Sequence, residues 1–243
     1  MTNDASSNSD GLAGPLSGLR VLELADEKGQ FCGKLMGDLG ADVIKVEPPV
    51  GSPSRSLGPF LEDAPEAERS LQFFSFNRNK RSLSINLKEK EAVDIVLGLA
   101  AEADVMIESF RAGTLERLGL GYEAVRKVNP NIVYATISGY GRTGPMAEMP
   151  GYDLLIQAYS GLMHLTGEPD GLPLRVGFSL VDLFTGMMTY GSILTALRHR
   201  DNTGEGQLID SSLLDGQVAA MSYHATGYMA TGNEPSRMGS GHP

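Results

Sequence analysis

One carboxylate is conspicuous in the sequence because its surroundings are almost wholly apolar. Asp182 lies within the segment 177–186, at the start of an apolar helix that the pattern predicts for residues 182–200. The pattern by itself favours a helix N-cap, in which the carboxylate accepts backbone N–H groups. A carboxylate at that position is also held ionised by the free amides and the helix dipole. Since an ionised carboxylate in a dry pocket can attack an activated acyl group, Asp182 is both a candidate N-cap and a candidate nucleophile.

Basic side chains gather near the predicted ends of strands. Residues 77–81 form the densest basic cluster of an acidic chain, directly before a strand predicted at 82–87, and Lys88 follows that strand. Arg111 and Arg117 lie just past the next predicted strand. Guanidinium and ammonium groups suit phosphates, whereas each of these residues taken singly is more typical of a solvated surface. Their shared placement predicts a site for an anionic ligand.

The usual catalytic and nucleotide-binding motifs do not occur where they would be expected. No GxGxxG follows the first predicted strand, and the chain contains no GxxxxGK[ST], HExxH or GxSxG. The 4 histidines are far apart, without metal-ligand spacing, and the single cysteine, Cys32, excludes an internal disulfide and a multi-cysteine metal site. We therefore expect no metal and a reducing, cytoplasmic environment.

The composition is that of a globular protein. The chain has 243 residues, of which 41% are hydrophobic and 21% charged, and its net charge is -10. These fractions disfavour wholesale disorder, and the acidic balance disfavours general nucleic-acid binding. No apolar run approaches the roughly 20 residues of a membrane span, and residues 1–14, a predicted flexible tail, lack a signal-peptide core. We expect neither nucleic acid nor membrane as a partner.

Alternating strand and helix patterns predict the scaffold that must position these residues. Short apolar runs predict strands, and apolar residues at helical spacing predict helices. The predicted strands are 19–24, 42–46, 82–87, 104–107, 131–137 and 206–209, and the predicted helices are 30–39, a segment after Lys88, 122–128, 152–165, 182–200 and 211–229. This alternation predicts an α/β fold, a parallel sheet with helices on both faces. Ligands of such sheets bind beyond the carboxyl ends of the strands.

Ordered blocks of sequence resemble one enzyme family. The most specific block is DVMIESFRAGTLERLG at 104–119, and the others are 18–24, 38–47, 77–82, 139–141, 151–153 and 203–207. Together they resemble the class III CoA-transferases, the CaiB/BaiF family, from about Gly14 to the last residue. The resemblance implies a Rossmann-like sheet over residues 15–230, the CoA-binding large domain of that fold. It also implies a smaller second domain that this sequence does not include, with residues 231–243 as the start of a linker to it.

The resemblance implies transfer of coenzyme A from an acyl-CoA donor to a carboxylic acid acceptor. The catalytic aspartate of the family falls on Asp182. Its carboxylate is expected to form first an aspartyl–acyl anhydride and then an aspartyl–CoA thioester, which the acceptor resolves. Splitting one exchange into covalent steps is the general logic of nucleophilic catalysis. Acyl-CoA is thus expected as a substrate, and no metal is required.

The resemblance also implies a set of CoA-binding positions. These fall on Glu27, Lys28, Lys88, Ser109, Phe110 and Arg117, and Tyr152 and Asp153 match the block that completes the site. A basic residue that the family carries after the second strand is replaced by Pro48 here. The phosphate contacts are therefore expected to be distributed differently in this chain.

Two alternatives remain within the same resemblance. The α-methylacyl-CoA racemases of the family need a histidine where this chain has Tyr152, and a phenol with a pKa near 10 is a poor base near pH 7. Transferase is therefore favoured over racemase. The chain is alternatively a truncated or split CoA-binding subunit without activity alone. Family members form intertwined homodimers, so a homodimer is the expected assembly of the full-length protein.

Overall fold

The computed structural model describes residues 14–241 and is built on one sheet of six parallel strands. The strands are β1 (Arg20–Leu24), β2 (Asp42–Glu47), β3 (Lys80–Ser84), β4 (Val105–Glu108), β5 (Val133–Ser138) and β6 (Gln207–Ser212). Their order is β3-β2-β1-β4-β5-β6, a doubly wound order that reverses direction between β1 and β4. The predicted α/β fold with a parallel sheet is confirmed. The predicted tail, apart from Gly14, lies outside the described residues.

Helices cover both faces of the sheet. They are α1 (Gln30–Asp38), α2 (Leu71–Asn77), α3 (Lys90–Ala101), α4 (Thr114–Leu118), α5 (Tyr122–Val128), α6 (Asp153–Tyr159), α7 (Leu162–Leu165), α8 (Leu180–Thr203), α9 (Leu213–Ala220) and α10 (Tyr223–Thr231). Between β2 and α2 the chain forms short 3-10 turns at Pro53–Ser56, Leu61–Asp63 and Ala67–Arg69.

Apolar side chains of the central strands alternate between two cores. Val21 and Val105 pair in register and face α1 and α8, whereas their neighbours Leu22 and Met106 face α3 and α5. All four are at most 1% exposed. Strands buried on both faces are expected to be continuously apolar, which is why the sequence pattern identified them.

Two helices that the sequence predicts as single are each divided in two. The helix predicted for 152–165 is interrupted at Gly161, whose φ is +92°. The helix predicted for 211–229 is interrupted at Ser222, whose φ is +50°. A residue in the left-handed region cannot continue a right-handed helix, so both predictions were wrong in extent.

The third strand begins earlier than predicted, and this changes the meaning of the basic cluster. β3 spans Lys80–Ser84 rather than the predicted 82–87, so Lys80 and Arg81 belong to the strand itself, and the cluster 77–81 lies at the amino edge of the parallel sheet. There Arg81 pairs with Asp42 at 2.6 Å on the surface. Because ligands of parallel sheets bind at the opposite edge, the prediction that this cluster contributes to the anion site was wrong.

Helix α8 is the central helix of one core. An 18-residue window of α8 has a mean hydropathy of 1.3, so its length and composition alone are sufficient for a membrane span. Within the fold α8 contacts α1, α9, β5 and β6, and 44% of that window is buried. At Gly186 the approach to α1 is close, since a Cβ atom there would lie 3.4 Å from the backbone nitrogen of Cys32.

The predicted linker begins where α10 ends. Gly232 closes α10 in a left-handed conformation, and residues 232–241 form neither helix nor strand. Arg237 holds this segment against residues 164–171 by donating hydrogen bonds to the backbone carbonyls of His164, Glu168 and Gly171. The division into domain and linker stays a prediction, and residues 242–243 lie outside the described part.

Two glycines allow the loop after β5 to cross the segment before α6. A Cβ atom built on Gly139 would lie 2.5 Å from the Cα atom of Gly151. Real Cβ atoms do not approach backbone so closely, so each position excludes any larger residue. The crossing places Asp153, two residues after Gly151, against the start of α8.

Gly139→Ala is expected to destabilise the fold by about 2 kcal/mol or more, because the crossing has no space for a methyl group. Gly98→Ala in α3 is the matched control, since within residues 14–241 no atom outside the neighbouring backbone of α3 lies within 4 Å of the added Cβ. In a helix interior that change is expected to stabilise by about 0.5–1 kcal/mol. Urea unfolding of the three proteins measures both effects. Equal stability of the two variants would contradict the role given to the crossing.

Candidate active site

A cleft opens at the carboxyl edge of the sheet, beside the ends of β1, β2 and β4. It consists of two adjoining cavities of about 400 and 470 Å³. Both are lined by Leu24, Val46, Pro48 and Phe110, and we call the combined space the edge cleft. It lies where the winding of the sheet reverses, the position at which doubly wound folds bind ligands.

Most of the residues predicted to contact CoA line the edge cleft. Lys28, Ser109 and Arg111 line the first cavity, Lys88 and Arg117 line the second, and Phe110 lines both. Together with Lys45, which also lines the first cavity, five basic side chains therefore line a cleft with apolar walls. Pro48 also lines both cavities. The position where the family resemblance predicts a basic residue and this chain has proline therefore lies inside the cleft.

Three of the predicted CoA-binding residues, Glu27, Tyr152 and Asp153, lie outside the edge cleft. Glu27 belongs to the same loop as Lys28 but lines neither cavity; partial burial and the charge of Asp26 raise the pKa of Glu27. Tyr152 is 57% exposed and lies near Tyr140, so its ring is available to a ligand from outside.

Asp26 joins the two loops that form the first cavity, a role the sequence did not predict. Its backbone N–H donates to the Ser109 hydroxyl at 2.9 Å, and that hydroxyl donates to the Asp26 carboxylate at 2.8 Å. The loop after β1 is thereby held against the loop after β4. The one sequence signal for this role is the adjacency of Asp26 to Glu27 and Lys28.

Glu47 fixes the long loop that borders the cleft on the β2 side. Arg55 donates two hydrogen bonds of 2.8 Å to this carboxylate, and Ser52 donates its backbone N–H. Although burial opposes it, these donors together with the Ser82 hydroxyl lower the pKa of Glu47 to about 2. The Arg55 guanidinium also lies 3.8 Å from the centre of the Phe73 ring, so the loop is anchored by charge and stacking together.

Asp153, not Asp182, caps helix α8. The Asp153 Oδ2 atom accepts the backbone N–H of Val181 at 2.7 Å and that of Asp182 at 3.3 Å. Ser179 is the N-cap residue by backbone position and contributes no side-chain bond. The interpretation of Asp182 as the N-cap was therefore wrong. Asp153 is buried in this capping contact, so its carboxylate positions the helix and is not free to hold CoA.

Asp182 lies in the first turn of α8, 8% exposed, in an electrostatically unfavourable position. Burial, the charge of Asp153 and the acidic residues of the β1 loop raise the pKa of Asp182 to about 7, against the opposing effect of Lys28. The expectation that free amides hold Asp182 ionised was wrong, because Asp153 already occupies those amides. Its Oδ1 atom has no hydrogen-bond partner within residues 14–241. A buried carboxyl with a raised pKa and an unpaired oxygen is a candidate functional group.

A doubly wound sheet with a basic cleft at its carboxyl edge and a buried carboxyl beside it is the architecture of an α/β domain that binds an anionic ligand. Residues 16–243 match the family model described as CoA-transferase family III. The chain belongs to that family. The predicted resemblance is confirmed.

Relatives and a solved structure agree with this membership. The chain is 44% identical over 233 residues to a succinate–glutarate CoA-transferase of Agrobacterium fabrum, covering 94% of this chain and 58% of the relative. It is 42% identical over 235 residues to a succinyl-CoA:mesaconate CoA-transferase of Haloarcula marismortui, covering 95% and 59%. A crystal structure of a CaiB/BaiF family protein from Brucella suis superposes with a TM-score of 0.89 at 43% identity, covering 95% and 61%. The chain thus spans about three fifths of these relatives.

Asp182→Asn is expected to stabilise the protein at pH 8 by up to about 4 kcal/mol, since the pKa is raised by roughly three and each pKa unit corresponds to about 1.4 kcal/mol. The folded pKa of about 7 lies above the ordinary value of 3.8. The wild type therefore loses stability as pH rises from about 4 through 7, and the neutral amide avoids that loss.

Unfolding midpoints between pH 4 and 8 measure this effect, and the two proteins should converge at the acidic end. Asp170→Asn, which makes the same charge change at an exposed position, is the control. A constant difference between wild type and Asp182→Asn across the range would show that Asp182 is not titrating as described.

Proposed function

We propose that this chain carries the CoA-binding and nucleophile-bearing part of an acyl-CoA:carboxylate CoA-transferase, with Asp182 as the nucleophile. The observation that carries the proposal is the buried Asp182 carboxyl, whose Oδ1 atom lacks a hydrogen-bond partner in the described chain. It is placed at the start of α8, within electrostatic range of Lys28 of the edge cleft. Family membership supports the reaction class.

The proposed reaction begins with attack of an Asp182 carboxylate oxygen on the thioester carbonyl carbon. The new C–O bond forms as the C–S bond breaks, giving an aspartyl–acyl anhydride and CoA thiolate. The thiolate then attacks the Asp182 carboxyl carbon, which releases the donor acid as a carboxylate and leaves an aspartyl–CoA thioester. Each step uses the carboxyl group as a relay, the logic of covalent catalysis.

The acceptor acid completes the cycle by the reverse sequence. Its carboxylate attacks the aspartyl thioester, forming a new anhydride and freeing CoA thiolate. The thiolate attacks the acyl carbonyl of that anhydride, so the product acyl-CoA leaves and the Asp182 carboxylate is regenerated. No proton or electron is gained or lost overall, which fits a site with no predicted metal.

The basic residues of the edge cleft are proposed to bind the phosphates of CoA. Lys88 and Arg117 line the same cavity and are both exposed, so their charged groups are accessible to a ligand. Lys28 lines the other cavity, nearer to Asp182. On this basis the phosphates are proposed to lie towards α4 and the thioester towards α8.

The acceptor is proposed to be a small carboxylic acid, as in the relatives. The relatives from Agrobacterium fabrum and Haloarcula marismortui are named for succinate, glutarate and mesaconate as acyl or acid partners. We further propose a homodimer in the cytoplasm for the whole protein. The exposed apolar side chains of α10, with Met229 76% exposed and Tyr228 51% exposed, support a covering surface there.

Incubation with acyl-CoA and hydroxylamine is expected to convert Asp182 or its acyl group to a hydroxamate, because hydroxylamine intercepts an activated carboxyl. Mass spectrometry of tryptic peptides locates the product. The yield should rise with pH through about 7, since only the ionised carboxyl attacks. Asp182→Asn should give no product. Modification that persists in this variant, or none in the wild type although CoA binds, would contradict the nucleophile assignment.

Lys88→Ala and Arg117→Ala are each expected to weaken CoA binding by about tenfold at low salt, because each removes a charge-assisted phosphate contact. Arg81→Ala is the matched control: it removes a guanidinium that is also exposed but lies at the amino edge of the sheet. Isothermal titration with CoA at two salt concentrations measures the change. An equal loss in Arg81→Ala would attribute the effect to net charge and not to the edge cleft.

A further inference from the structure

A buried ionic network lies beneath the edge cleft. Lys45 of β2 stands directly opposite Glu23 of β1 in the sheet register, with 2.9 Å between the Nζ and Oε1 atoms. Lys80 of β3 reaches the same carboxylate, with its Nζ atom 2.7 Å from Oε2. All three side chains are at most 2% exposed. Two ammonium groups thus share one carboxylate in the interior.

The surrounding chain is built to accommodate this network. A Cβ atom on Gly33 of α1 would lie 1.7 Å from the Glu23 Oε2 atom, so the carboxylate occupies space that only a glycine leaves free. Burial lowers the pKa of Lys80, and the neighbouring Lys45 ammonium adds to this effect. Buried ion pairs of this kind are costly and contribute little net stability. The network is therefore better explained by a role in positioning the backbone that it contacts.

The two lysines differ in what else they hold. Lys45 donates to the backbone carbonyl of Ala25 at 2.7 Å and lines the edge cleft. Lys80 donates to the carbonyl of Gln30 at 2.8 Å and to Asn77 at 3.0 Å, and it does not line the cleft. Only Lys45 contacts the point where β1 passes into the loop at the site.

The Ala25 carbonyl determines how that loop leaves the strand. It belongs to the same peptide group as the Asp26 N–H, which donates to Ser109 across the cleft. The Asp26 carbonyl in turn accepts the N–H groups of Gly29 and Gln30, which begin the approach to α1. Holding one carbonyl therefore orients the loop 26–28 with its three charged side chains.

We propose that Lys45 is a positioning residue for the CoA site: its buried ammonium, held by Glu23, fixes the Ala25 carbonyl and thereby the loop 26–28 against the edge cleft. The choice of CoA as the ligand rests on the proposed function. The positioning itself is a property of the free protein and is measurable without any ligand.

Three variants distinguish the positioning role of Lys45 from the effect of its charge. Lys45→Met removes the contact to Ala25 and one ammonium, and Lys80→Met removes the other ammonium but leaves the loop contact. Either change leaves Glu23 with one partner, so neither creates an unpaired buried carboxylate. Lys45→Arg keeps the charge and the pairing with Glu23, but its planar fork does not reproduce the ammonium geometry at Ala25.

Hydrogen exchange of the amides of residues 26–30 is expected to accelerate about tenfold in Lys45→Met, corresponding to loss of one charge-assisted hydrogen bond. Lys45→Arg should accelerate it at least about threefold, and Lys80→Met should leave the amides of 26–28 within about twofold of wild type. Titration with CoA should show the same ranking in affinity. Circular dichroism verifies that each variant is folded. If Lys45→Met does not fold, Lys45→Arg takes its place in the test.

Three outcomes would overturn the proposal. The first is unchanged exchange at 26–28 in a folded Lys45→Met or, in its place, Lys45→Arg. The second is an equal loss of CoA affinity in Lys45→Met and Lys80→Met, which would assign the effect to buried positive charge. The third is normal CoA affinity in a variant whose loop exchanges faster. A wild type that does not bind CoA would contradict the proposed function, while the exchange comparison would still decide the positioning role.

Discussion

The geometry of the site depends on one contact, that of the Asp153 carboxylate with the first amides of α8. The contact joins two helices through hydrogen bonds to Val181 and Asp182. It fixes where α8 begins. Because the Asp153 carboxylate already interacts with the positive end of the helix dipole, the Asp182 carboxyl does not receive that stabilisation. Asp182 is therefore both positioned by Asp153 and repelled by it.

The contact exists only because backbone segments approach more closely than side chains allow. Gly139 and Gly151 cross with no space for a Cβ atom, which brings Asp153 to the helix. Gly186 lets α8 lie against α1, close to Cys32. The position of the Asp182 carboxyl thus depends on three glycines, each at a close approach where a methyl group would push the elements apart.

The sequence predicted the sheet because its central strands are continuous apolar runs, and it predicted the edge cleft because ligands of parallel sheets bind at strand ends. It failed where a partner lies far along the chain. Nothing near Asp182 shows that Asp153, 29 positions earlier, occupies its amides. Likewise Lys80 belongs to a polar strand, and its burial follows from pairing with Glu23, which only the register of three strands reveals. Local sequence patterns do not show which distant residue pairs with a buried polar group.

The unfavourable environment of Asp182 is consistent with the proposed reaction. Burial first, and then Asp153 and the acidic residues of the β1 loop, raise the free energy of the ionised carboxyl, so fewer molecules carry the proposed nucleophile at neutral pH. Acylation converts that carboxyl to a neutral anhydride and thus relieves the same repulsion. Lys28 acts in the opposite direction on the ionised form. The net effect lowers the fraction of molecules in which Asp182 is ionised but raises the reactivity of each ionised carboxylate. Such an environment favours the covalent intermediate over the free carboxylate.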